Sequence, residues 1–157
     1  MEPRIVTRDA FTVMGPMERF TDKNEDVGGL WGRFMSHRDS IQPYSTDEFC
    51  YGVSFQNVQE DTWDYVAGMA VSGVSPDSTP DGVVVRQVPA ACYAVVECTL
   101  ETMDETFKFI YEDWLPSSAY EHDKSGPVLD CYPPGTDSGD SPVVLYVPIV
   151  RADGGEE

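Results

Sequence analysis

Between Asp22 and Met35 the apolar residues Val27, Leu30, Trp31, Phe34 and Met35 recur at steps of three and four, the spacing of one helix face. Asp22 and Glu25 stand where a capping pair would start that helix. A second stripe of the same period runs from Thr102 to Leu115, with Met103, Phe107, Ile110, Tyr111 and Trp114 on one side and Asp104, Glu105, Lys108, Glu112 and Asp113 on the other. Thr102 and Glu105 match a capping box, and Pro116 is expected to stop the run. Each helix is preceded by an extended, β-prone segment, 4–14 and 83–97, and followed by two more, 49–56 and 63–74 in the first case, 128–132 and 143–150 in the second.

Strand, helix, strand, strand therefore occurs twice. Moving the first half along by ~80 residues lays Leu30 on Ile110, Phe34 on Trp114 and Phe49 on Leu129, with negligible identity, as an old structural duplication would leave it. The expected fold class is α+β, with duplicated strand–helix–strand–strand units whose antiparallel sheets surround a central ligand pocket. One domain over 1–153 is expected, with pseudo-repeats at about 1–77 and 82–153 and a disordered acidic tail at 154–157. The connector is the turn-rich stretch 75–82, and a similar loop, 133–140, joins the last two strands.

Charge then narrows the partners. Twenty-eight acidic against 10 basic side chains give −18, so phosphate backbones and anionic membrane surfaces are repelled. Aspartate supplies 16 of the acids and lysine only three of the bases, a bias that suits a high-salt cytoplasm as well as an ordinary acidic surface. No apolar run approaches the ~20 residues of a membrane span, and no signal pattern opens the chain, so a cytoplasmic location is expected. Cys50, Cys92, Cys98 and Cys131 lack Cys-x-x-Cys spacing and read as reduced, buried thiols. Neither a metal nor a cofactor is expected.

The candidate chemistry centres on Asp130, set between apolar and aromatic residues in a strand, with Val128 and Tyr132 on its own face. Phe49, Tyr51, Val53 and Phe55 share a face, as do Tyr65, Ala67, Met69 and Val71, and Tyr93 goes with Val95. If the halves pack about a pseudo-twofold axis, Tyr51, Tyr65 and Tyr93 would wall a cleft with Asp130 at its base, and Trp31 of the first helix would flank it. An ionised carboxylate there calls for a cation, which tyrosine faces would also attract. Parity alone equally allows Asp130 at a wet strand edge or satisfied by a neighbouring hydroxyl. His37 and His122, near predicted helix ends, read as solvated or capping side chains.

The run Tyr111-Glu112-Asp113-Trp114-Leu115-Pro116-Ser117-Ser118-Ala119-Tyr120-Glu121, then Leu129-Asp130-Cys131-Tyr132 and Leu145-Tyr146-Val147-Pro148-Ile149, resembles the C-terminal signature of the GyrI-like domain, the effector-binding module of AraC-type and MerR-type multidrug regulators. Phe49-Cys50-Tyr51-Gly52-Val53 and Tyr65-Val66-Ala67-Gly68 resemble its first-half strands. The resemblance, over about 4–150, implies a pocket for hydrophobic, often cationic compounds, read by an acid that is usually glutamate where Asp130 stands. Aspartate is one methylene shorter, which alters its reach. Tyr51, Tyr65 and Tyr93 match positions that line the pocket in drug-binding members.

Residues 1–4 lead straight into the first strand, so no DNA-reading segment is expected. The implied function is a standalone binder of lipophilic, cationic small molecules. Its alternatives are a hydrolase of cyclopropanoid or other electrophilic toxins, with Asp130 as general base in the same pocket, and an acidic, gyrase-modulating protein that docks on a topoisomerase or on a separate regulator.

Overall fold

The computed structural model describes residues 3–21, 27–57, 60–74, 79, 81–123, 126–133 and 141–151. The expected capping pair Asp22 and Glu25, most of the two loops and the tail lie outside the described residues. The strands are β1 (Arg4–Arg8), β2 (Phe11–Gly15), β3 (Met17–Phe20), β4 (Cys50–Asn57), β5 (Thr62–Val71), β6 (Val84–Val88), β7 (Ala91–Thr99), β8 (Tyr120–His122), β9 (Val128–Tyr132) and β10 (Pro142–Arg151). Helix α1 spans Val27–Ile41. The second helix begins as α2 (Met103–Lys108), continues as a π-helix over Phe109–Trp114 and closes in a last α turn, α3 (Leu115–Ser117).

The sheet order is β1-β7-β10-β9-β4-β5-β2-β6, with β3 added on β5 and β8 on β10, and every named pairing is antiparallel. That order is a palindrome. Arg4, Phe11 and Thr62 open β1, β2 and β5, and the residues eighty further on, Val84, Ala91 and Pro142, open β6, β7 and β10. The axis of this pseudo-symmetry passes between β4 and β9 at the Tyr51–Cys131 pair.

Two segments expected as single strands, 4–14 and 83–97, are each two. Asp9 and Ala10 separate β1 from β2, and Pro89 and Ala90 separate β6 from β7. The reason is an exchange between halves: β1 pairs with β7, and β6 pairs with β2. In a flat sheet β1 and β2 would stand six strand spacings apart, about 29 Å, yet a two-residue link reaches at most ~11 Å. The sheet therefore curls until its ends approach.

Gly15 and Gly68 make part of this bend possible. A Cβ on Gly15 would lie 2.0 Å from the Ala67 carbonyl oxygen, and one on Gly68 would lie 2.1 Å from that of Met14.

The inside of the curl holds one core, which includes Val13, Tyr51, Val53, Val66, Tyr93, Val95, Leu129 and Cys131. The outer face carries the helices. Leu30, Phe34 and Ile41 of α1 seal against Met14, Ala67, Met69 and Val71, whereas Met35, expected on the buried stripe, is 58% exposed. Ile110 and Leu115 seal against Ala94, Val96, Val147 and Ile149. These two anchors are five residues apart, a step that π-helical winding keeps on one side.

Other local expectations also shift. Thr102 does not cap α2 through its side chain; its Oγ1 accepts instead from the Thr99 backbone N–H at 3.0 Å. Pro116 sits inside the last turn rather than ending the helix before it. The carbonyls freed at this end are taken up by Ser117 and Ser118 hydroxyls.

Candidate functional site

With α1 chiefly over β5 and β2, and α2 over β7, the central strands β4 and β9 floor a groove between the helices on the outer face. Antiparallel partners point the same way, so the Gly52–Asp130 pair turns outward and its flanking Tyr51–Cys131 pair turns inward. Asp130 is 6% exposed. Its Oδ2 accepts a hydrogen bond from Tyr65 Oη at 2.7 Å and a second, short one from Tyr132 Oη. Trp31 Nε1 donates to Tyr65 Oη at 3.3 Å, which completes a chain from indole to phenol to carboxylate. The Trp31 ring stands edge-on to both phenols, 5.3 Å from Tyr132 and 6.5 Å from Tyr65.

Gly52 is what lets these groups meet. A Cβ there would lie 1.9 Å from Tyr65 Oη and 2.5 and 2.6 Å from the two carboxylate oxygens.

Burial pushes the Asp130 carboxyl above the ordinary aspartate range, opposed by the bonds from Tyr132 and Tyr65. Burial first, then the Asp130 charge, raises Tyr65 and Tyr132 well above the usual phenol value, so both remain neutral donors. No arginine or lysine among the described residues pairs with Asp130. The site is therefore one buried carboxyl group in an aromatic housing, bonded by two hydroxyls and with no counter-ion among the described residues.

Of the five residues singled out from the sequence, Asp130, Tyr65 and Trp31 are brought together. Tyr51 and Tyr93 are not, and the expectation that they wall the same cleft as Asp130 is corrected. Both lie inside the curl, where Tyr51 Oη accepts from Arg8 Nη2 at 2.8 Å and donates to Asp47 Oδ2 at 2.7 Å. The Arg8 guanidinium lies over Phe11, Tyr51 and Tyr146, and Tyr93 packs edge-on to Tyr146. Sequence reasoning left out Tyr132 and Gly52, although Tyr132 shares the parity of Asp130. It also misplaced His122, which belongs to β8 and borders the groove edge-on to Tyr111 rather than capping a helix.

Among the described residues no cluster of His, Cys, Asp and Glu is arranged to hold a metal, and no helix is long and apolar enough to cross a membrane. Cys50, Cys98 and Cys131 are free thiols.

Comparison with known proteins adds to this geometry. The family model described as Cass2, integron-associated effector binding protein, matches residues 4–149. The transcriptional regulator BrlR of Pseudomonas aeruginosa is 36% identical over 155 residues, 95% of this chain and 56% of that protein, so the chain spans about half the length of this curated relative. The fold is shared with SAV2435, solved bound to tetraphenylphosphonium, at TM-score 0.76 and 18% identity over 96% of this chain and 94% of that one. It is shared too with the integron cassette protein VCH_CASS2 from the mobile metagenome of Vibrio cholerae, at TM-score 0.63 and 18% identity over 95% and 96% of the respective chains.

Proposed function

This chain belongs to the Cass2 family of integron-associated effector binding proteins, and on that premise we propose that it captures lipophilic organic cations in the groove between its helices. Asp130 is the counter-charge, and Trp31, Tyr65 and Tyr132 are the walls. The observation that carries this reading is the buried carboxylate with no basic partner among the described residues. Such a charge is costly to hold unless something gains from it. Phenol donors lower the cost, and an organic cation would remove most of it while its apolar surface leaves water.

Three aromatic faces around the carboxylate add cation–π attraction of about 0.5–2 kcal/mol each. The tetraphenylphosphonium complex of SAV2435 supports the ligand chemistry by analogy of fold. Asp130 Oδ2 is already engaged by two donors, which suits charge reading better than taking a proton from water. The free thiols of Cys50, Cys98 and Cys131 fit a reducing, cytoplasmic setting for this capture.

Paired titrations followed by tryptophan fluorescence test the proposal, with tetraphenylphosphonium as the cation and triphenylphosphine oxide as an uncharged relative of similar shape. The cation is expected to bind at least about tenfold more tightly, a difference of ~1.4 kcal/mol. Equal affinities would refute a charge-reading site.

A further inference from the structure

The groove does not end at Asp130. On β4 and β9 the outward face continues from the Gly52–Asp130 pair to Ser54 and Val128, themselves partners, two residues or about 7 Å further along. There the structure is open. A cavity of about 510 Å³ lies between Ser54, Gln56 and Trp63 on the sheet side and Phe107, Tyr111 and His122 on the other.

Its far wall is an aromatic row. Phe107 and Tyr111 stack with centroids 6.3 Å apart and planes 17° from parallel, and His122 meets Tyr111 edge-on at 5.4 Å. The π-helical step that buries Ile110 and Leu115 in the sheet leaves Phe107 and Tyr111 to line the cavity. Ser54 and Gln56 add a hydroxyl and a carboxamide. Asp130 and Tyr65 are not part of this lining; the two compartments are neighbours, one already open and one closed over by phenols.

The geometry points to an elongated ligand with two parts: a cationic head that seats at Asp130, and, about 7 Å away, a flat aromatic body that fills the open cavity and offers a carbonyl-type acceptor to Ser54 and Gln56. This rests on Asp130 as counter-charge. A volume of this size is in the range of small-molecule pockets. A compact cation confined to Asp130 would leave it unfilled. The head has to move Tyr132 or Tyr65 off the carboxylate, whereas the aromatic body meets a ready-made slot.

Two quaternary ammonium probes separate head from body in titrations of the whole chain. Tetraethylammonium supplies a head alone, and 3-(2-naphthamido)propyl-trimethylammonium supplies head, spacer, carbonyl and ring. The second is expected to bind about a hundredfold more tightly or better. Phe107→Ala removes part of the aromatic wall, and Ser54→Leu both fills the cavity and removes the hydroxyl that meets the carbonyl, leaving the aromatic wall intact. Each is expected to cut the affinity ratio of the two probes by about tenfold or more, with folding checked by circular dichroism.

A naphthamide probe no tighter than tetraethylammonium, or a ratio that survives both variants, overturns the two-part ligand. It leaves the counter-charge standing as long as Asp130→Asn still weakens both probes. If Asp130→Asn weakens neither, the counter-charge reading and the two-part ligand built on it fall together.

Discussion

Asp130→Asn is expected to weaken tetraphenylphosphonium binding by about 30-fold or more, the ~2–5 kcal/mol that removal of one partner from a buried charge pair costs. Triphenylphosphine oxide should bind the variant and the parent within about threefold, since it has no charge to lose. Losses of equal size for both compounds in calorimetric titrations would show that Asp130 shapes the groove without reading charge.

The same substitution has a consequence of opposite sign for stability. Burial raises the folded-state pKa of Asp130, so the folded chain holds this proton more tightly than the unfolded chain does. Above the raised pKa, ionisation therefore weighs against the fold. That burden lightens as the pH falls through the raised pKa and disappears toward the unfolded value of about 3.9. Asparagine lacks the ionisation and can still accept from the phenols. Its melting temperature should exceed the parent's at pH 7, and the gap should narrow on acidification. A gap that is absent at pH 7, or that widens as acid is added, contradicts this linkage. Cation affinity in the parent should also fall at a higher pH than an ordinary aspartate would give, because proton and ligand compete for one carboxylate.

The second large effect falls on Gly52→Ala. Its new methyl would sit 1.9 Å from Tyr65 Oη and within 2.6 Å of both oxygens of Asp130, and it can be admitted only if the phenol and the carboxylate part. Overpacking of ~1–3 kcal/mol and loss of a charge-assisted hydrogen bond of ~1.5–3 kcal/mol are expected together, about 3 kcal/mol or more. Cation binding should fall with it, as the housing of Asp130 is pushed apart. The contrasting change is Gly32→Ala in α1, where nothing lies within 4 Å of the added methyl. There, removal of a mid-helix glycine should stabilise by about 0.5–1 kcal/mol. Urea denaturation of the two variants checks both signs. Wild-type binding by Gly52→Ala would disprove the close packing on which the site depends.

How far the sequence led is clearest at the tyrosines. Helix stripes, the doubled order of elements and β4, β5, β9 and β10 were legible because each follows from a local period. Tyr65 and Asp130 were legible as candidates for the same reason. Whether residues on different strands face the same side depends on register, and no local pattern carries it. Gly52 pairs with Asp130, so the odd-numbered Tyr51 turns inward, and the same logic carries Tyr93 inward beside Val6. The division of 4–14 into two strands was hidden likewise, because the partner of β1 lies in the other half of the chain. The π-helix escaped because its cause is docking of Ile110 and Leu115 on the sheet, a tertiary demand that a period of 3.6 does not register.

The exchange of strands also governs how the protein is made. Arg4 has its partner at Val95, so a ribosome adding ~5–20 residues per second leaves β1 waiting about 5 to 20 seconds for β7. In that interval the strand is a bare template for pairing with other nascent chains, and the arginines at both its ends are the kind of charge that discourages such pairing. Its counterpart β6 meets β2 as soon as it is synthesised, so of these two exchanged strands only β1 has to wait. A product truncated before residue 95 would keep α1 and the first-half strands but lack the β9 strand that supplies Asp130, and would enter quality control as an unfinished sheet.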